Sequence, residues 1–450
     1  MSCNKLKFLN HSSFLMESDH CVFLCDPWYQ NTVFFNGWDL VSKEFTNNDI
    51  INLLISKNKK IHIWYSHEHP DHFSINFLNE IKDEQKKLFH FHYKKTADVR
   101  VINFLKKKNF QVNEAQLGEN IEIDNNMSFK IFNYKNTDDS FSITKFYDKT
   151  FLNLNDCAVK NKKDCEYVSN LIKLKNVDYV FAQFSYATWR ATKIDRENVA
   201  NEKLKRLSFI LNFFQPKILF PFASYIYFSH EENFFMNDSI NFPTKVMQSV
   251  SLTNFKNKIL FLKPLEEINL DQIENIDLAE VNNKAIKYWD EKFASIKNYK
   301  LISKEKSYSF DELKKTFNIY RDNINKNFFS LNKLLEKIGI VKELIFKISD
   351  NDDKVRISYL NGISKTDTIH HIECSSEVLH NIFKYEYGWD SIKISGRFNY
   401  NGKKNFYELS KFFFFQNRIK NGQTMKNSFE LLMYLLYMLK EKVILKSKRI

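Results

Sequence analysis

Ser66-His67-Glu68-His69-Pro70-Asp71-His72 follows the pattern H-x-H-x-D-H, with three imidazoles and two carboxylates in a single short run. In a tight loop His67 and His69 can turn toward one point while Asp71 and His72 turn toward a neighbouring one. That geometry suits two metal ions a few ångströms apart. A lone histidine is usually a surface or core residue with ordinary hydrogen bonds, and two at i, i+2 can be coincidence. The chain has only 12 His, however, and three of them sit here. Crowded imidazoles and carboxylates are costly to bury unless something pairs them, and metal binding is the expectation.

A loop of this kind needs a strand to deliver it. Lys60-Ile61-His62-Ile63-Trp64-Tyr65 is a β-branched and aromatic run typical of a buried strand. Pro70 bars continuation of helix or ladder through the cluster. The cluster therefore belongs at the C-terminal end of a strand, where open α/β sheets bind ligands. Ahead of it, Lys5 to Leu9, Ser13 to Glu17 and Cys21 to Cys25 read as a three-strand meander, which Pro27 ends just after Asp26. Asp49 to Ser56 reads as a short helix capped by Asn47 or Asn48. Lys87 to Tyr93 and Ala97 to Lys108 read as a strand and an amphipathic helix completing a β-α-β unit. His90 and His92 would share one face of that strand, as polar residues on an outer face and not as ligands. Met127 to Tyr134, Ser140 to Tyr147, Thr150 to Leu154, Val177 to Phe184 and Lys217 to Phe222 read as further strands, with Arg196 to Phe214 a long helix.

H-x-H-x-D-H after an apolar strand resembles the metallo-β-lactamase superfamily. The resemblance implies an α/β fold, an αββα sandwich. It implies that His67 and His69 bind one metal and that Asp71 and His72 bind a second. It makes Asp26 a support for the metal loop through hydrogen bonds. Asp156, in Asn155-Asp156-Cys157 at the end of a strand, matches the residue that bridges the two metals, and His230 sits where a last histidine completes the second site. The superfamily commonly supplies another histidine to the first metal from the turn at Asn136-Thr137-Asp138-Asp139-Ser140. No His exists there, and Asp138 or Asp139 stands in as an oxygen ligand, with Asp139 the assigned one. Carboxylate-rich sites suit iron or manganese better than all-imidazole sites do, and zinc accepts them too. The expected cofactors are two divalent metal ions, zinc or iron. Cys157 beside the bridging position is expected in the core.

The formal net charge of +13 favours anionic partners. No nucleic-acid-binding motif is visible. Trp189 and Arg190, in the loop after the strand Val177 to Phe184, could stack on and pair with an anionic ligand. The six Cys are scattered and make no disulfide framework or C-x-x-C zinc pair. The C-x-H and C-x-x-H pairs of a Rieske centre are missing as well. The first residues lack the apolar core of a signal peptide. No apolar run reaches the ~18 residues of a membrane span, and Phe429 to Leu439, which contains Glu430, reads as a buried helix. A cytoplasmic protein is the expectation.

Residues 1–264 are expected to form the metal-binding catalytic domain, 265–339 a helical connector, and 340–450 a smaller α+β accessory domain. That last domain has no ligand cluster, and Lys440 to Arg449 reads as a basic, solvated terminus. Within the superfamily, Asp26-Pro27-Trp28, Ser66 to His72, Asn155-Asp156-Cys157 and Pro221 through Asn233 resemble the CMP-N-acetylneuraminate hydroxylase branch. Glu373 to Leu379, Gly388-Trp389 and Gly396-Arg397-Phe398 resemble that branch's C-terminal domain. Members of the branch couple the metal domain to a Rieske domain, which this chain does not carry. The expected function is therefore a dinuclear-metal hydrolase using a metal-bound hydroxide, with Asp71 and Asp156 at the reacting centre. Its expected substrate is an anionic, nucleotide-activated or phosphorylated sugar. The alternative is a di-iron oxygenase served by an external reductase.

Overall fold

The computed structural model describes residues 5–135, 137–402, 406–425, 429–430 and 432–433. The chain divides into two compact units, Met1–Ile302 and Ser303–Ile450. The residues of the expected connector, 265–339, are thus shared between them.

The strands of the first unit are β1 (Lys5–Asn10), β2 (Ser13–Glu17), β3 (Cys21–Cys25), β4 (Trp38–Leu40), β5 (Lys60–Trp64), β6 (Phe89–Lys94), β7 (Gln111–Ala115) and β8 (Ile121–Asp124). They continue with β9 (Met127–Asn133), β10 (Ser140–Phe146), β11 (Lys149–Asn153), β12 (Tyr179–Gln183), β13 (Ile218–Phe222), β14 (Ile226–Phe228) and β15 (Glu267–Asn269). Two mixed sheets result. One has the order β15-β1-β2-β3-β5-β6-β7 and the other β13-β12-β11-β10-β9-β8. Each sheet is antiparallel over its meander and parallel where a helix intervenes, at β3-β5-β6-β7 and at β11-β12-β13. Parallel neighbours need such crossovers. β15 lies past Pro264, yet it pairs with β1 and belongs to the first sheet.

Alternation along the strands builds two apolar layers from one sheet. On one face, Val22, Leu24, Ile61, Ile63, Phe89 and Phe91 pack with the buried sides of three helices, α1 (Asn47–Ser56), α2 (Ile75–Glu80) and α3 (Arg100–Lys107). On the other face aromatic rings meet the second sheet. Phe14 stacks on Phe181 at 4.3 Å, Phe23 meets Phe129 at 4.9 Å, and Phe8 meets Phe222 at 6.4 Å. The second sheet is accompanied by α4 (Lys162–Ile172) and α5 (Lys193–Phe214), which pack on each other. Asn241 hydrogen bonds both the Phe184 and the Ala200 carbonyls, tying α5 to the chain just past β12. This is the αββα sandwich expected of the fold class.

Local details differ from expectation in two places. The cap of α1 is Thr46, not Asn47 or Asn48, because Asp49 completes a reciprocal capping box with it. His90 and His92 do not face outward. They point with His62 into the seam between the sheets, where His92 meets the Phe129 ring edge-on at 5.3 Å. His62 stacks at 5.1 Å on His90 and at 5.2 Å on His92.

The second unit has a five-stranded sheet and several helices, among them one over Ser376–Lys384. Glu377 of that helix forms a buried ion pair with Arg397 at 2.6 Å. Lys440 to Arg449 and most of Phe429 to Leu439 lie outside the described residues. No described helix is long and apolar enough to cross a membrane.

Candidate metal centre

The parallel strands of both sheets end on one region. From the first sheet come Asp26 after β3 and Ser66 to His72 after β5. From the second come Asn155 and Asp156 after β11, Gln183 at the end of β12 and Ala223 after β13. His11, in the turn between β1 and β2, is held there because its carbonyl accepts a hydrogen bond from Ala223 N–H at 2.8 Å.

Asp26 is fully buried and organises the loop. Its carboxylate accepts from Ser66 N–H at 2.8 Å, from Ser66 Oγ at 2.7 Å and from the Asn155 amide, and it lies 3.0 Å from His72 Nδ1. With Nδ1 committed, His72 turns Nε2 toward the carboxylates. Asp71 Oδ2 is 3.2 Å from it and Asp156 Oδ2 is 3.6 Å. His11 Nε2 approaches Asp71 Oδ2 at 3.4 Å. His67 Nδ1 is fixed 2.9 Å from Ser66 Oγ, and its Nε2 lies 2.9 Å from His69 Nδ1.

Two groups of ligand atoms therefore converge, His11-Asp71-His72 and His67-His72-Asp156. Of the residues expected from sequence, His67, Asp71, His72 and Asp156 are brought together, His69 adjoins His67, and Asp26 supports the loop. His230 is not in either group. It is buried, and its Nδ1 accepts from Glu232 N–H at 3.2 Å. The histidine grouped with Asp71 and His72 is His11. It lies far upstream of the H-x-H-x-D-H run, so spacing carried no signal for it. Asp139 is half-buried and also outside both groups, though it feels the charges of Asp156 and His69. Trp189 is buried, and Arg190 donates from Nη1 to the Trp189 carbonyl at 2.8 Å. Cys157 is a buried free thiol.

The electrostatics follow from this crowding. Burial opposes charge on His72, but Asp71 and Asp156 outweigh it and hold the imidazole well above its usual range. Burial likewise opposes charge on Asp71, yet His72 and His11 keep its carboxyl well below the ordinary value. His67 is pushed well below the usual imidazole range by burial and then by His72 and His69. Burial and the Asp156 charge push Asp139 upward.

The donor set fits divalent metal. Nε2 of His11, Nε2 of His72 and Oδ1 of Asp71 are buried without a hydrogen-bond partner. Leaving such atoms unpaired costs roughly 1–3 kcal/mol each, and a cation satisfies them together. Mixed imidazole and carboxylate ligands accept zinc and iron alike. The Asp26 contacts to Ser66 and His72 are of the kind that orient metal ligands.

No protein-family model matches the sequence, and no curated protein matches it. Several solved structures are similar to the first part of the chain, one of them described as a metallo-β-lactamase-fold protein. A possible metal-dependent hydrolase from Veillonella parvula is similar over 60% of this chain and 100% of its own, at 13% identity and a TM-score of 0.44. CmlA, a diiron β-hydroxylase from Streptomyces venezuelae, is similar over 59% of this chain and 54% of its own, at 13% identity and a TM-score of 0.40. The metallo-β-lactamase-fold protein YhfI from Bacillus subtilis is similar over 59% of this chain and 98% of its own, at 8% identity and a TM-score of 0.37.

Proposed function

We propose that this chain is a dinuclear-metal hydrolase acting on an anionic, nucleotide-activated or phosphorylated sugar-type substrate. The observation that carries the reading is His72 Nε2, buried between Asp71 Oδ2 and Asp156 Oδ2 with no hydrogen-bond partner of its own. His67 and His69, with Asp139, would hold one ion. His11, Asp71 and His72 would hold the other, and Asp156 would lie between them. Such ions supply Lewis acidity and make a water acidic near neutral pH. The chain's own part is orientation. Asp26 fixes His72 and Ser66, Ser66 fixes His67, and Asn155 is drawn to Asp26 from the opposite sheet. The sugar-nucleotide preference rests on the motif resemblance and on the +13 charge.

One observation favours a second reading, a di-iron oxygenase with an external reductase. The turn that would supply another histidine to the first ion carries Asp138 and Asp139 and no histidine, and a carboxylate-rich site suits iron. Elemental analysis of protein purified without added metal and without air tests both readings. Two zincs per chain support the hydrolase, and two irons support the oxygenase. Metal content that is unchanged in His72→Ala and Asp156→Ala proteins overturns the ligand assignment.

A further inference from the structure

Beside Asp156 lies a group of cations that the metal centre does not use. Gln183 donates from Nε2 to Asp156 Oδ1 and to the Ala223 carbonyl, both at 3.3 Å. Its own Oε1 accepts from Lys203 Nζ, on α5. One helical turn along, Arg206 pairs with Glu202 at 2.7 Å, while its Nε is buried without a hydrogen-bond partner. Arg190 reaches into the same field, within electrostatic reach of Lys203 and Arg206. The acids facing the group are Asp156, which is committed to the centre, Glu202, and the more distant Asp195. Lys160 adds a further cation near Glu202.

We infer that Lys203, Arg206 and Arg190 form a subsite for a phosphate dianion of the substrate, seated next to Asp156. The cations of the group outnumber the acids Glu202 and Asp195 that are not committed to the centre, and a phosphate matches that excess. Arginine and lysine supply the forked and point-charge donors that phosphate oxygens accept. Burial and Arg206 push the Lys203 ammonium down to about 7. An anion beside it opposes both effects. The alternative is that Lys203 only orients Gln183. That role gives no reason for Arg206, one turn along the helix, to keep its Nε buried and without a hydrogen-bond partner.

The inference rests on the proposed metal centre for its placement, and its test is kept separate from that centre. The probe is inorganic phosphate, titrated calorimetrically at pH 7 and fixed ionic strength into the metal-loaded full chain and into the chelated chain. Lys203→Met and Arg206→Gln are expected to weaken phosphate binding by about tenfold each in both preparations, with metal content unchanged. Arg206→Lys, which keeps the charge, is expected to bind phosphate more tightly than Arg206→Gln. Equal affinities in wild type and variants at full metal content would mean that phosphate sits on the ions alone, which overturns the subsite. Equal affinities of Arg206→Lys and Arg206→Gln overturn it as well. A wild-type chain that binds no metal but still loses phosphate affinity on substitution refutes the metal reading and supports this one.

Discussion

Lowering the pH from 7 to 5 should weaken the first unit through the histidine stack in its seam. His62 Nδ1 and His92 Nε2 lie 3.0 Å apart, so one ring donates and the other accepts. The residues are only 8% and 5% exposed, so solvent does little to screen a charge there. The groups facing them are His90, Lys60, Asn113, the Phe129 ring and Asp124, and only Asp124 favours a positive charge. Burial lowers His62 to about 4, with His90 and Lys60 adding to the shift. Burial lowers His92 to about 3, with His62 and His90 adding. Both rings are thus neutral in the fold at pH 5, while in the unfolded chain, near 6.5, they take up protons. The stability they allow is complete above about 6.5 and is lost as pH falls toward the folded values. At pH 5 the loss is about 2 kcal/mol for each ring, or about 4 kcal/mol together as an upper bound because they share one hydrogen bond. Urea unfolding of chelated protein at pH 7, 6 and 5 measures it. The wild type should lose up to that much more than the His62→Gln/His92→Gln protein, whose amides cannot charge. Parallel stability profiles for the two proteins would refute the reasoning.

Asp26→Ala should weaken metal binding by about 10–100-fold and destabilise the metal-free protein, since donors on Ser66, Asn155 and His72 lose their acceptor; metal titration and urea unfolding read the two effects separately. His11→Ala should lower metal content from two ions per chain toward one, measured by elemental analysis, because His11 belongs only to the group with Asp71 and His72. In the second unit, Glu377→Gln removes the carboxylate of the buried ion pair with Arg397, which should cost up to roughly 3–5 kcal/mol; a fall in the denaturation midpoint of that unit checks it.

Much of this was readable from the sequence because its signals were local. β2 and β3 occupy the residues expected of them, with Pro27 just past the end of β3, and β5 ends just before the metal run. Asp26, Asp71, His72 and Asp156 meet because each closes or follows a strand, and strand ends are visible in a sequence. His11 was not visible, since its role depends on the Ala223 hydrogen bond from the other sheet. His62 was passed over for a related reason. It sits in an apolar strand, and only the pairing of β5 with β6 sets it against His90 and His92. Lys203 and Arg206 lie on a long helix, and the sequence does not show what its charges face. The Lys203 contact comes from the approach of α5 to Gln183.

Backbone geometry joins these observations. His11, Asp26, Asn155 and Ala223 all adopt left-handed φ values, between 40° and 46°, and each lies at a strand end bordering the centre. Asparagine, aspartate and histidine tolerate that conformation, and the His11 N–H is met locally by the Asn10 side chain at 2.9 Å, whereas alanine has no such support. Such residues persist only where surrounding contacts over-determine them. Here the contacts are cross-sheet: Ala223 N–H to the His11 carbonyl, and the Asn155 amide to the Asp26 carboxylate. The same two bonds that hold the strained turns also close the sandwich above the ligands. The geometry of the centre and the packing of the two sheets are therefore one constraint, and a substitution that relaxes either turn should loosen the metal ligands before it unfolds the core.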